Sequence, residues 1–268
     1  MKILKMGLGL FGLLIGTITV IAVVRAMSLK PSPMTTIAPL VLREVGQDLV
    51  AARLSTAVQY KTVTTQDPAE TDWAKFIEFQ TWLTETYPDF YGVLDTQMVE
   101  TYTPVHQWVG TDPALPPLIM LAHQDVVPAL ESDVGWDYPP FAGVRDGGYI
   151  YGRGTLDDKG SLMGLHEAGN YLAAQGWQPE RTIYFIFGHD EEVSGSGALA
   201  AAKLLQSRGV DPLAVIDEGG AIIRDFNGLE KPLSLIGVAE KGYFTVKLTA
   251  SAQGGHSSSP PDVTAIGA

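Results

Sequence analysis

The sequence predicts an α/β domain with a mostly parallel central sheet flanked by helices. Short apolar or β-branched runs alternate with segments of helical period, two of those segments close on a glycine, and three of the runs stop at histidine or acidic residues. Strands that alternate with helices are the pattern of a sheet with a helical layer packed on it. The 268 residues suffice for one large domain or two modest ones, and 46% hydrophobic content with both charge signs is a globular composition.

In chain order, Lys2 and Lys5 precede an uncharged run from Met6 to Val24, followed by Arg25 and Lys30. The run is about the length that crosses a bilayer. It reads as an uncleaved membrane anchor over residues 1–30; a cleaved signal peptide and a buried helix are the competing readings. By analogy with signal anchors the rest of the chain is expected outside the cytoplasm, either membrane-anchored or secreted. A Pro/Ser/Thr-rich linker from Lys30 to Pro39 leads into helical patterns at Leu40–Val58 and Asp72–Thr86, the second with Trp73, Phe76, Phe79 and Leu83 at helical spacing. Strands are expected at Leu118–Ala122, Tyr149–Tyr151, Thr182–Phe187 and Leu213–Ile216. Helices are expected at Ser161–Ala174 and Gly197–Ser207, with Gly176 and Gly209 as C-caps. From Leu233 the pattern changes, and Tyr243–Leu248 alternates as a strand with one wet face would. The expected division is an anchor at 1–30, a catalytic domain at 31–237 and the beginning of an α+β lid or dimerisation domain at 238–268. The chain stops just where a helix is expected to start after Pro260 and Pro261, so it reads as C-terminally truncated.

The net charge of -12 and pI near 4.7 argue against nucleic acid as a partner, since that affinity comes from Lys and Arg neutralising phosphates. Cysteine is absent, so a metal could be held only by histidine and carboxylates. Acids and imidazoles stand where the strands end. Leu118–Ala122 runs into His123, Gln124 and Asp125; Thr182–Phe187 into His189, Asp190, Glu191 and Glu192; Leu213–Ile216 into Asp217 and Glu218. In an open α/β sheet those ends share one edge, where ligand crevices form. A glycine-rich turn, Tyr151–Ser161, adds Asp157 and Asp158. It lacks the Gly-Lys-Ser/Thr order of a phosphate loop. Taken singly, these residues are ordinary capping acids or solvated turns. Taken together, so many carboxylates in one crevice would raise each other's pKa without a cation, and a divalent metal resolves the conflict.

His123-Gln124-Asp125, Gly152-Arg153-Gly154-Thr155-Leu156-Asp157-Asp158-Lys159-Gly160, Asp190-Glu191-Glu192 and Asp217-Glu218-Gly219 resemble, in order and spacing, the signature of the M20 family of zinc metallopeptidases. The run Trp136, Tyr138, Pro139, Pro140, Phe141 brings the likeness nearer to the carboxypeptidase S and Gly-Xaa carboxypeptidase branch, which includes N-acyl amino acid hydrolases. The resemblance implies an aminopeptidase-like catalytic domain and two zinc ions per active site. It implies His123 and Asp217 on one zinc, Asp157 bridging both, Glu192 on the other, Asp125 orienting His123, and Glu191 as general base. A cis peptide after Asp157 is implied as well. Gly254-Gly255-His256-Ser257-Ser258 is similar to a lid motif whose histidine helps stabilise an oxyanion in a partner subunit; from its residues alone, His256 is a polar turn residue. His106, His166 and His189 match nothing in the family pattern.

The family's last zinc-ligating histidine follows the lid, and no histidine follows His256. The chain alone is therefore expected to be inactive or very weakly active. The expected activity is zinc-dependent hydrolysis of an amide bond next to a C-terminal amino acid, in short peptides such as Gly-Xaa. Deacylation of N-acyl amino acids on the same fold, or a non-catalytic membrane-tethered module, are the alternatives. A homodimer through the lid is the expected assembly.

Overall fold

The computed structural model describes residues 2–28, 46–219, 222–226, 228–239, 242 and 246–251. It divides into two units, Met1–Val45 and Gly46–Ala268. The first contains helix α1 (Lys2–Ser28). Residues 11–28 of it are exposed, and its window Phe11–Ser28 is long and apolar enough to cross a membrane by length and composition. Thr17 and Thr19 return their hydroxyls to Leu13 O and Ile15 O at 2.9 Å, so neither polar group needs solvent.

The second unit is built on a five-stranded sheet in the order β1 (Asp95–Val99), β2 (Thr103–Trp108), β6 (Ile183–Gly188), β3 (Leu118–His123), β7 (Ala214–Ile216). Strand β3 runs parallel to β6 and β7, β2 antiparallel to β6, and β1 antiparallel to β2. Four strands therefore share one direction and β2 alone opposes them, which agrees with the mostly parallel sheet expected. Strand β6 is buried on both faces, and its side chains alternate between two cores. Phe185 and Phe187 join Phe79, Phe90 and Leu162 on one side; Tyr184 and Ile186 join Ala201 and Leu205 on the other.

Helices α2 (Gln47–Gln59), α3 (Trp73–Thr86), α4 (Pro88–Tyr91) and α5 (Lys159–Ala174) supply the first core, and α6 (Ser196–Ser207) the second. Phe76, Phe79 and Leu83 bury the expected stripe of α3. Both expected glycine caps are present. Gly176 and Gly209 take φ of 68° and 70°, and each is followed by a paired closure: Gly176 N to Ala173 O with Trp177 N to Leu172 O, and Gly209 N to Gln206 O with Val210 N to Leu205 O.

Elsewhere the structure departs from the expectation. Tyr149–Tyr151 forms β5, which pairs with β4 (Val144–Asp146) in a separate hairpin and not with the central sheet. Strand β7 was expected to be buried, yet Val215 and Ile216 are exposed, because among the described residues it pairs with β3 alone at the sheet edge. Strands β8 (Ile222–Ile223) and β9 (Leu233–Ser234) form a small antiparallel pair. The strand expected at Tyr243–Leu248 falls partly outside the described residues, and Val246–Leu248 belongs to no regular element. Most of the expected lid segment 238–268, including His256, lies outside the described residues.

Candidate metal centre

His123 is the last residue of β3 and only 2% exposed. Its Nδ1 faces Asp125, 3.0 Å from the backbone oxygen and 3.2 Å from Oδ1. Each ring nitrogen thus faces acidic or carbonyl oxygen, and with Nδ1 held by Asp125 a cation bound at Nε2 would take the place of the second ring proton. Nε2 lies 2.9 Å from Asp157 Oδ1 and 3.2 Å from Glu218 Oε2. His123, Asp157 and Glu192 bring donor atoms within 4.8 Å of one another, and so do His123, Asp158 and Glu218.

Each strand end and turn delivers its part of this cluster. The glycine-rich turn between β5 and α5 carries Asp157 and Asp158, joined by a cis peptide as the resemblance implied. Gly154 has φ of +83°, and a Cβ there would stand 2.6 Å from Val126 Cγ1, so the turn passes too close to the end of β3 for a side chain. Lys159, fully buried, donates from Nζ to Ala57 O at 2.9 Å and Tyr60 O at 2.6 Å, which ties the turn to the end of α2. Burial holds its ammonium down to about 7.

Asp125 is 0% exposed and serves more than His123. Its Oδ1 accepts from Glu191 N and its Oδ2 from Glu192 N, both at 3.1 Å. One carboxylate thus fixes the histidine and the backbone of the Glu191-Glu192 pair. Glu192 Oε1 in turn accepts from Val127 N at 3.3 Å.

The resemblance implies Asp217 as the acid that shares a zinc with His123. Asp217 is exposed and accepts from Glu218 N at 2.9 Å, while its neighbour Glu218 reaches His123. Both acids lie just beyond β7, and of the two it is Glu218 whose carboxylate meets the imidazole. Sequence reasoning gave Glu218 and Asp158 no role, although both stood in the motifs as the second member of an acidic pair. His106 and His166 are buried against Phe187 of the first core, and His189, just past β6, pairs through Nδ1 with Thr103 Oγ1 at 2.6 Å.

The residues fit a divalent cation. Burial disfavours a proton on His123, but the carboxylates of Asp125 and Glu218 outweigh it and raise the imidazole to about 12. Burial pushes Asp158 up to about 6 and raises Glu191 and Glu192. Asp158 Oδ1 is buried without a hydrogen-bond partner. An imidazole that Asp125 and Glu218 favour in its charged form, beside Asp158, Glu191 and Glu192 whose burial disfavours their charge, is the electrostatic mark of a site for a positive ion. The donors are imidazole nitrogen and carboxylate oxygen, which suit zinc, manganese or cobalt.

Fold and site together define the class: an α/β domain with a candidate divalent-metal centre at the carboxyl ends of its parallel strands. Residues 119–231 match the family described as Peptidase family M20/M25/M40, and the chain carries a domain of that family. It is 40% identical over 224 residues to a Dictyostelium discoideum protein called "Probable carboxypeptidase S-like 2", covering 81% of this chain and 43% of that protein. It is 42% identical over 217 residues to the Homo sapiens "N-fatty-acyl-amino acid synthase/hydrolase PM20D1", covering 80% of this chain and 43% of that protein. The chain thus spans less than half the length of either relative. Among solved structures, human carnosine dipeptidase 1 shares the fold, with a TM-score of 0.53 and 21% identity over 66% of this chain and 39% of that one.

Proposed function

We propose that this chain is part of a metal-dependent amide hydrolase that releases a C-terminal amino acid from a short peptide or an N-acyl amino acid. The observation that carries the proposal is the His123 imidazole, locked by Asp125 on Nδ1 and open on Nε2 toward Asp157, Glu192 and Glu218. In this reading His123, Asp157, Glu192 and an acid from the Asp217-Glu218 pair would supply ligands to two zinc ions, the second of which lacks in this chain the histidine that the resemblance adds. A bound ion supplies Lewis-acid polarisation of the scissile carbonyl and lowers the pKa of water. Glu191 takes the proton of the attacking water and returns it to the leaving amine. Burial raises its carboxyl above the ordinary value, toward the range where a base is effective near neutral pH. Asp125 holds Glu191 N and so aims that side chain.

Of the two substrates, the N-acyl amino acid is the one we favour. The human relative's printed name supports the same substrate class. Helix α1 anchors the chain in a membrane with the metal domain outside the cytoplasm, the segment 238–268 begins a dimerising lid, and His256 contributes to oxyanion stabilisation across the dimer.

Glu191→Gln tests the base. In the enzyme of which this chain is proposed to be part, it is expected to lower amide hydrolysis about 10²–10⁴-fold while bound metal, measured by elemental analysis, stays unchanged. Equal activity in the variant would remove Glu191 from the chemistry. Release of amino acid from N-acyl amino acids and from Gly-Xaa dipeptides, measured side by side, separates the two substrate classes.

A further inference from the structure

Thr64 belongs to none of the motifs that carry the site, and it is 2% exposed. The residues after α2 follow the end of β3. Val63 bridges Val126 in parallel, Val126 N donates to Thr62 O at 3.0 Å, and Thr62 Oγ1 donates to Gln124 O at 2.6 Å. Alternation along an extended segment puts Thr64 on the same side as Thr62. Its Oγ1 donates to Asp125 Oδ2 at 2.8 Å.

That bond completes the coordination of Asp125. Oδ1 accepts from Glu191 N and faces His123 Nδ1; Oδ2 accepts from Glu192 N and from Thr64. A hydrogen bond to an ionised acceptor is stronger than a neutral one. Because the carboxylate is buried, losing a donor leaves that oxygen short of a partner.

We propose that Thr64 is a positioning residue of the metal centre: its hydroxyl sets the rotation of the Asp125 carboxylate, and through it the ring of His123 and the backbone of Glu191 and Glu192. The proposal rests on the metal-centre reading above. Loss of such an outer partner typically weakens metal affinity about 10–100-fold. The threonine methyl cannot substitute, since the contact is a donated proton.

The test measures zinc affinity of the full chain by competition with a chromogenic chelator, together with thermal unfolding of the metal-free protein. Thr64→Val keeps the shape and removes the donor, and is expected to weaken zinc about 10–100-fold. Thr64→Ser keeps the donor and is expected to bind nearly as tightly as the wild type. Should Thr64→Val fail to fold, Thr64→Ala against Thr64→Ser makes the same comparison. Unchanged affinity in Thr64→Val overturns the proposal, even if the metal-free protein unfolds at a lower temperature, because that pattern belongs to a purely structural threonine. A Thr64→Ser variant as weak as Thr64→Val overturns it too. A wild-type chain that binds no zinc sinks the metal-centre reading itself.

Discussion

Asp125 is the residue on which the cage turns, since its one carboxylate meets His123, Glu191, Glu192 and Thr64. Its role as the orienter of His123 is what the family resemblance of the His123-Gln124-Asp125 motif implies. Its hold on the glutamate pair was not legible, because that contact joins the ends of β3 and β6 and exists only once the two strands lie side by side. The acids after β7 present the opposite case, in which the residues were legible and their orientation was not. Both Asp217 and Glu218 stood at the strand end, and only the fold determines which one faces His123. The joint substitution Asp217→Asn with Glu218→Gln removes either candidate at once. It is expected to reduce the zinc bound per chain, measured by elemental analysis, and wild-type zinc content would separate this pair from the metal centre.

Among the elements, β3, β6, α3, α5 and α6 were legible because long apolar runs, helical spacing and terminal glycines all agreed on them. The β1–β2 hairpin escaped. Its loop takes positive φ at Glu100 (45°) and Thr101 (66°), where a turn signal calls for Asn or Gly. Its strands also carry mixed polar sequences, among them His106 on β2, buried beside His166 of α5. Burial lowers His166 from the usual 6.5 to about 4, and burial with the neighbouring His166 lowers His106 to about 3. A base whose folded pKa is depressed binds its proton more readily when unfolded, so stability is full above pH 6.5 and is lost as pH falls toward the folded value. Each histidine accounts for about 1.4 kcal/mol per pH unit in that window. Denaturant unfolding at several pH values should show His166→Asn with a shallower decline than wild type between pH 6.5 and about 4. Parallel profiles would show that His166 does not titrate this way. Strand β6 makes a second prediction. Phe187, 1% exposed, sits in the first core just before the Glu191-Glu192 turn, and Phe187→Ala should cost about 3–5 kcal/mol in unfolding free energy. A loss below about 1 kcal/mol would contradict that packing.

At the scale of the whole molecule, an apolar N-terminal helix precedes an α/β domain with a candidate metal centre, on a chain that spans 43% of the Dictyostelium and human relatives. If α1 is an anchor, the full chain stays with membranes through an alkaline carbonate wash, and release into the supernatant would speak against it. The metal centre is the central claim. Crystals grown with zinc and measured at the zinc absorption edge test it most directly, since anomalous scattering locates the ions without reference to any ligand assignment. An ion is expected about 2.0–2.1 Å from His123 Nε2, with Asp157 among its neighbours. Anomalous density elsewhere, with none at His123, would contradict it.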